Sequence, residues 1–367
     1  MSSQYTMCES ITVIAAPSPI VKTIFLRYGN NIANIGTNGF SNTPGSYLLS
    51  YRPANPGHSS GDDTYAGYIY LPTPYGAIDL RIQVNGKDDV PAVNTLQDQF
   101  TLTPTPVPVQ LAPKLSASLL FDGLSTDYTE KLLELTARLS LFNLPEVGSD
   151  IAWVTATLRL AGLSRGSYTS PSGVDLPAAL ADAVKKIASV REGDTYFVEI
   201  NNNWSQLRNE FSGDFKSSYL VRAFVATHGY LQLTADQAIY PVYNVSGRLT
   251  SDQSYTVTFS KKPPVTGFWS LTVYDDEAYL VPNEWNVYAL GDRSAIEYPD
   301  GSLVYPTSGS SDTDEEFILL LQTKDTPPAE KSKHVHSYLC VRVSDVPSAG
   351  YQQLQAARDS ILTVSDS

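Results

Sequence analysis

The chain has 367 residues, enough for one large domain or two of ordinary size, and we expect two. Its 38 acidic and 25 basic residues give a formal net charge of −13, which excludes a nucleic acid and an anionic membrane surface as expected partners. Charged residues make up only 17%, while tyrosine, glycine and proline are abundant, so the composition predicts a β-rich protein with many turns.

Cysteine content and hydropathy predict a cytoplasmic protein. Only Cys8 and Cys340 occur, which does not indicate a disulfide framework. The short apolar run near the start follows no basic residue, unlike a secretory signal, and no run approaches the 18 apolar residues of a membrane span.

Residues 1–111 predict a small N-terminal β-sandwich. Clusters of Gly, Pro and Asn separate five short β-favouring runs, at 11–15, 23–27, 47–51, 65–71 and 78–84. The Asn- and Gly-rich segment 30–39 predicts either a tight loop or the rim of a ligand site, where Asn34 is a candidate substrate-binding residue. Four prolines within 102–113 then indicate an extended linker.

Residues 112–230 predict a helical connecting region. Leucines recur at three- or four-residue steps over 125–143, and the preceding residues Ser125 to Asp127 are typical of a helix cap. Segments 149–163, 176–190 and 214–230 have similar helical character. In the last one Arg222 shares a face with apolar residues, so it needs either an ion pair between helix and sheet or a place at a cavity.

Residues 231–367 predict a larger antiparallel sandwich built on 268–274. Trp269, Leu271 and Val273 alternate there with Phe268, Ser270, Thr272 and Tyr274, so both faces of the strand carry bulk. Trp285 and Tyr288 follow a bend that also holds Asn283. These aromatics predict either core packing or an aromatic cavity in which a few polar groups orient a ligand.

Most catalytic signatures are missing from the sequence. It has no Gly-x-Ser-x-Gly elbow, no phosphate-binding glycine loop and no Cys-x-x-Cys pair, so we expect no cofactor. His334 and His336 alternate on a β-favouring run, and two imidazoles on one face of a strand could hold a metal if a third ligand came from elsewhere. The acidic cluster 312–316 predicts a solvated segment, with a divalent cation site as its alternative.

Several motifs resemble one family. The run PPVTGFWSLTVYD at 263–275, followed by Asn283, Tyr288 and 300–303, is similar to the C-terminal half of the family that pairs the domains of unknown function 1254 and 1214. Segments 30–37, 45–48 and 88–97 resemble its N-terminal half, and 217–230 resembles its helix before the C-terminal sheet. The resemblance implies an immunoglobulin-like and a jelly-roll-like β-sandwich joined by helices, hence a mainly β fold with a helical insert (α+β).

These patterns together predict a cofactor-independent lyase or isomerase that acts on an apolar small molecule. The most specific form of the hypothesis is a cyclase of secondary metabolism, of pericyclic Diels–Alder type. The candidate catalytic residues are Arg222, Asn283 and Tyr274, and the candidate substrate-binding residues are Trp269, Trp285, Tyr288 and Asn34. Two alternatives stay open, a non-catalytic binding or scaffold protein and a metal-dependent enzyme that uses His334 and His336. A homo-oligomer is also left open.

Overall fold

A computed structural model describes most of the chain. The described residues are 2–6, 9–13, 21–27, 29–36, 43–84, 86–105, 112–200, 202–243, 255–259, 268–274, 278–280, 288–291, 317–321, 338–344 and 361–366. They form sheets and helices, which confirms the expected mixture of β structure with helices. In this part of the chain no helix has both the length and the apolar character needed to cross a membrane.

The chain divides into two compact units. The first comprises Met1–Ser189 and Gly213–Phe224, and the second comprises Val190–Ser212 and Val225–Ser367. Both units therefore combine segments that are distant in sequence. The boundaries predicted at 111 and 230 from the sequence remain predictions.

The first unit contains a four-stranded and a five-stranded sheet. The four-stranded sheet has the order β1-β8-β3-β4 and the five-stranded sheet the order β6-β7-β5-β2-β9, in which only the β5–β7 pair is parallel. The strands are β1 (Ser2–Thr6), β2 (Glu9–Val13), β3 (Val21–Arg27), β4 (Asn30–Gly36), β5 (Gly45–Tyr51), β6 (Gly57–Ser60), β7 (Gly67–Leu71), β8 (Tyr75–Ile82) and β9 (Thr101–Pro104).

Side chains from both of these sheets meet in one apolar core. Ala33, Ile35 and Ile78 come from the four-stranded sheet, and Tyr47 and Ile69 are among those from the five-stranded sheet. Alternate residues of β5 and β7 are buried, as the two-residue period of a strand with one covered face requires.

The helical region follows β9. Its helices are α2 (Ala117–Phe121), α3 (Tyr128–Ser140), α4 (Ile151–Leu160) and α5 (Leu176–Ala188), preceded along the chain by α1 (Val90–Gln99) and followed by α6 (Tyr219–His228). The hairpin of β10 (Leu163–Ser164) and β11 (Ser167–Tyr168) joins α4 to α5. Asp127 caps α3 by accepting hydrogen bonds from the backbone N–H groups of Thr129 and Glu130, as the sequence predicts.

The second unit contains a seven-stranded and a three-stranded antiparallel sheet. The larger sheet has the order β12-β13-β15-β20-β17-β18, with β14 also paired to β20, and the smaller has the order β19-β16-β21. The strands are β12 (Phe197–Glu199), β13 (Trp204–Leu207), β14 (Ala238–Ile239), β15 (Val242–Tyr243), β16 (Tyr255–Phe259), β17 (Trp269–Tyr274), β18 (Ala289–Gly291), β19 (Phe317–Leu321), β20 (Tyr338–Ser344) and β21 (Ile361–Asp366).

Local structure departs from the sequence prediction at three places. The segment predicted as a loop or ligand rim at 30–39 contains a strand, β4, over Asn30–Gly36. Strands β12 and β13 lie inside the stretch predicted to be helical, and α1 forms where no helix is predicted. At β4 the cause is tertiary, because hydrogen bonds to β3 and burial outweigh the turn preference of Asn and Gly.

Candidate functional site

An apolar cleft of about 230 Å³ lies in the first unit. It is partly open to solvent, and prolines and large apolar side chains form most of its wall, so we name it the proline cleft. Its lining residues are Tyr51, Pro53, Pro72, Thr73, Pro74, Leu141, Phe142, Leu144, Pro145, Glu146, Gly148 and Ile151. Among these described residues Glu146 is the only acidic or basic one.

Two parts of the unit form the cleft. The end of β5 and the turn between β7 and β8 supply one side, and the segment from the end of α3 to the start of α4 supplies the other. Tyr75 begins β8 and connects the two sides, because its ring contacts Phe142 edge to face at 5.9 Å between centroids. Its hydroxyl also donates a 2.6 Å hydrogen bond to the Pro113 carbonyl. Burial raises the pKa of Tyr75. Its phenol therefore stays a neutral donor at physiological pH.

A buried amide positions the carboxylate of the cleft. Asn30 is fully buried at the start of β4, and its Nδ2 donates a 2.8 Å hydrogen bond to Oε2 of Glu146. The Oδ1 of Asn30 accepts a 3.3 Å hydrogen bond from the backbone N–H of Phe215, and the neighbouring Asn31 N–H donates to the Gly213 carbonyl at 2.6 Å. Asn30 thus links the sheet, the cleft and the segment that leads into α6.

Arg222 lies on α6, close enough to Glu146 for their charges to interact. Its guanidinium Cζ is 5.4 Å from the centroid of the Tyr219 ring, and Nη2 donates a 3.2 Å hydrogen bond to the Lys216 carbonyl. Burial lowers the pKa of Arg222, while Tyr219, Glu146 and Asp214 act in the opposite direction. An arginine keeps its charge under such shifts, so Arg222 supplies a positive potential near Glu146. Arg222 is not among the residues that line the proline cleft, and the role predicted for it remains a prediction.

A second set of contacts ties the start of α4 to α6. The Tyr219 hydroxyl donates a 3.0 Å hydrogen bond to Oδ2 of Asp150, and the Trp153 ring packs edge to face on Tyr219 at 5.4 Å. Hydrogen bonds from Ser217, and then from Trp153 and Tyr219, lower the pKa of Asp150, although burial opposes this shift. The part of the cleft wall at the start of α4 is therefore fixed to α6, the helix that carries Arg222.

The other predicted site residues fall in different places. Asn34 belongs to the first unit, where it is 5% exposed and its Oδ1 is buried with no hydrogen-bond partner among the described residues. Trp269 and Tyr274 belong to β17 of the second unit, five positions apart and hence on opposite faces of the strand. Trp269 is fully buried in the core, whereas Tyr288 before β18 is exposed.

Trp269, Tyr274 and Tyr288 do not line the proline cleft or the pocket beside β12 and β13. Asn283, Trp285, His334, His336 and the acidic cluster 312–316 lie outside the described residues. Within the described ranges no three His, Cys, Asp or Glu side chains are grouped as a metal would need. The roles predicted for all of these residues remain predictions.

A second, more polar pocket of about 240 Å³ lies in the second unit. Arg191, Asp194, Glu199 and Asn203 are among its lining residues, beside the β12–β13 hairpin. With charges of both signs in its wall, this pocket suits a polar ligand and not the apolar substrate predicted from the sequence.

Sequence reasoning missed Glu146 and Asn30 as site residues. Glu146 follows a proline in a short connection, where an acidic residue is ordinarily solvated. Asn30 stands 116 positions earlier in the chain, and no local pattern indicates their contact. The concentration of Asn at 30, 31 and 34 was a usable signal, since three amides in one short run need partners once buried.

Comparisons with known proteins identify two parts of the chain. The family model DUF1254, a protein of unknown function, matches residues 2–104. The family model DUF1214, also a protein of unknown function, matches residues 237–327. No curated protein matches the sequence. The chain is similar in structure to the VPA0106 protein from Vibrio parahaemolyticus, with a TM-score of 0.54 and 12% identity over 95% of this chain and 85% of that chain. At such low identity the likeness concerns the fold alone.

Proposed function

We propose that this chain, which belongs to the family that pairs an N-terminal DUF1254 domain with a C-terminal DUF1214 domain, is a cofactor-independent isomerase or lyase. Its substrate is an apolar small molecule bound in the proline cleft. The reaction proposed in most detail is an intramolecular cyclisation in secondary metabolism, of the pericyclic kind.

One observation carries the proposal, namely an apolar cleft whose single carboxylate is held by a buried amide. Apolar walls favour an apolar ligand because its burial releases water from both surfaces. The hydrogen bond from Asn30 fixes Glu146 in one orientation, which reduces the reorganisation needed when charge develops in a transition state.

The cleft can act in two ways on such a substrate. Rigid prolines and aromatic rings restrict a flexible chain to a folded, reactive conformation, and this entropic contribution can lower a cyclisation barrier by several kcal/mol. Glu146 can in addition take a proton from one carbon of the substrate and return it to another, which leaves the product with the same mass. A purely pericyclic cyclisation needs only the restriction of the substrate to a reactive conformation and no proton transfer.

The test is a search for a product of unchanged mass. Purified, chelator-treated protein is incubated in H₂O, and in a parallel reaction in D₂O, with the small molecules that accumulate when its gene is deleted. Isomers formed in H₂O are resolved by chromatography and mass spectrometry, and the D₂O reaction reports deuterium uptake. We expect a product of the same elemental composition, formed faster than without protein. Ile151→Trp, which fills the cleft, should abolish the reaction, whereas Glu192→Gln, at an exposed carboxylate outside the cleft, should leave it intact.

Glu146→Gln separates the two mechanisms. If Glu146 transfers a proton, the variant loses about 10²–10⁴-fold in rate and the wild-type product carries solvent deuterium. If the reaction is pericyclic, the product carries no deuterium and the variant keeps most of its rate.

Ligand binding without conversion would refute the enzyme proposal and favour a small-molecule-binding protein. Activity lost on chelation and restored by a metal would instead favour the alternative that uses His334 and His336.

Finer features of the fold belong to the same proposal. We take the two sheets of the first unit as an immunoglobulin-like sandwich, supported by the apolar core that both sheets share. We take the antiparallel sheets of the second unit as a jelly-roll-like sandwich. The cytoplasm is the proposed location, in keeping with the absence of a disulfide framework from the sequence.

A further inference from the structure

Helix α5 has a clear apolar stripe that is only partly covered. Leu176, Leu180, Ala183 and Ile187 recur at steps of four, three and four residues and so share one face of the helix, with Val184 beside them. An amphipathic helix normally turns such a stripe toward the core of its own domain. Here Leu180 is 36% and Val184 58% exposed, and none of the 13 residues of α5 is buried.

The preceding helix along the chain, α4, shows the same excess of exposed apolar surface. Helix α4 has the sequence IAWVTATLRL with Arg159 as its one charged residue, yet it too buries none of its residues, and Leu160 is 82% exposed. A helix that is apolar on all sides is usually covered by protein or lipid. Most of the exposed large apolar side chains in the described part of the chain lie between Phe121 and Val184.

An apolar stripe that is left uncovered on a helix is a candidate contact surface, and Leu180 and Val184 supply its most exposed large side chains. A standard interface buries about 800 Å² on each partner, whereas monomers rarely expose contiguous apolar patches above a few hundred Å².

We propose that the apolar stripe of α5 is the centre of a two-fold interface with a second copy of this chain. Along the helix the acidic residues Asp175 and Asp182 precede the basic residues Lys185 and Lys186. An antiparallel pair of α5 helices therefore brings the lysines of one copy toward the acidic residues of the other, and a two-fold axis makes this contact twice. The small side chain of Ala183 lets the two helices approach closely.

A second copy explains the stripe better than a lipid surface does. The chain carries a net charge of −13, which opposes approach to an anionic bilayer. The stripe itself contains no charged residue, and Lys185 and Lys186 beside it offset part of the repulsion between two chains of net charge −13. This inference is independent of the proposed activity, because α5 contributes no residue to the proline cleft.

Sedimentation of the full chain over a range of concentrations tests the proposal. We expect a reversible dimer in which Leu180→Glu together with Val184→Glu raises the dissociation constant about a hundredfold or more, because each variant residue would bury a carboxylate. The matched control is Ala178→Glu on the opposite face, at a position in the first turn where a glutamate suits the helix. This control should dimerise like the wild type, and circular dichroism checks that each variant is folded.

Cross-linking supplies a second, independent measurement. In a chain with Cys8→Ser and Cys340→Ser, Ala183→Cys should be joined to a second copy by a short bifunctional maleimide, and Ala178→Cys should not. A monomer at all concentrations would overturn the proposal and indicate that another part of the chain covers the stripe. A dimer that survives both glutamates, or that cross-links equally at 178 and 183, would also overturn it.

Discussion

The sheets of the first unit and its helices α4 and α5 use apolar residues in opposite ways. In strands β5 and β7 the side chains of Tyr47, Leu49 and Ile69 are almost completely buried, and the intervening residues are partly exposed. Helices α4 and α5 are at least as apolar in sequence, yet they bury no residue. Apolar residues therefore form the stable core in one region and an accessible surface in the other.

The difference indicates where function resides. Buried core side chains stabilise the fold but cannot contact a ligand, whereas an apolar surface that stays exposed is available for ligands and partners. The proline cleft lies at the border of the two regions, with Tyr51 and Pro72 to Pro74 on the sheet side and Leu141 to Ile151 on the helical side. The rigid sheet can thus hold one wall of the site while the less buried helical region supplies the other.

The largest expected effect contrasts a core leucine with a surface leucine. Leu49→Ala should lower the free energy of unfolding by about 2–5 kcal/mol, because it leaves a cavity among buried side chains. Leu160→Ala should change it by less than about 0.5 kcal/mol, since Leu160 is exposed on α4. Urea denaturation followed by fluorescence measures both values. Equal losses would show that α4 is packed as tightly as the sheet, and the comparison would fail.

Local sequence patterns predicted the regular elements well. The alternation in β17 and the leucine periodicity and cap of α3 reflect interactions within a few residues, so they can be read from the sequence. Strand β4 could not be predicted in this way, because its Asn-rich sequence is strand-forming only when paired with β3 and buried. The same holds for β12 and β13, which are three and four residues long.

The candidate site was harder to predict than the fold. Arg222 was singled out because a charge on an apolar helical face is a local anomaly, and its role remains a prediction. Glu146 and Asn30 were missed because the hydrogen bond that pairs them spans most of the first 150 residues. Aromatic residues such as Trp269 did not distinguish a core from a ligand site in the sequence, because aromatic side chains are common in both.

The next effect concerns the amide that joins the sheet to the cleft. Asn30→Ala removes the hydrogen bonds to Glu146 and to the N–H of Phe215, and it leaves the buried N–H without its acceptor. We expect a loss of about 1–3 kcal/mol in the free energy of unfolding. Asn94→Ala, at an exposed position of α1, is the control and should cost less than about 0.5 kcal/mol. Indistinguishable losses would mean that Asn30 does not tie the cleft to the sheet.

Helix caps give a finer contrast within the helical region. Asp127 caps α3, which buries Ala137, and Asp175 caps α5, which buries nothing. Asp127→Ala should lower the free energy of unfolding by about 1 kcal/mol. Asp175→Ala should mainly increase local opening of α5, seen as faster amide hydrogen exchange, with a smaller effect on global unfolding. If Asp175→Ala costs as much globally as Asp127→Ala, then α5 is integrated into the core.

The smallest effect is a dependence on pH at the junction of α4 and α6. Hydrogen bonds from side chains that include Ser217, Trp153 and Tyr219 lower the pKa of Asp150 below 3.8. At acidic pH the Asp150 carboxylate therefore binds a proton more tightly in the unfolded chain than in the folded protein. The stabilisation is therefore complete above pH 3.8 and is lost as the pH falls through the lower pKa of the folded state. Asp150→Asn should flatten the decline of the melting temperature below pH 4, and Tyr219→Phe should flatten it less, because it removes only one of the four donors, which also include Ser149. Calorimetry across that pH range measures the slope. A slope unchanged in Asp150→Asn would show that this carboxylate does not couple α4 to α6.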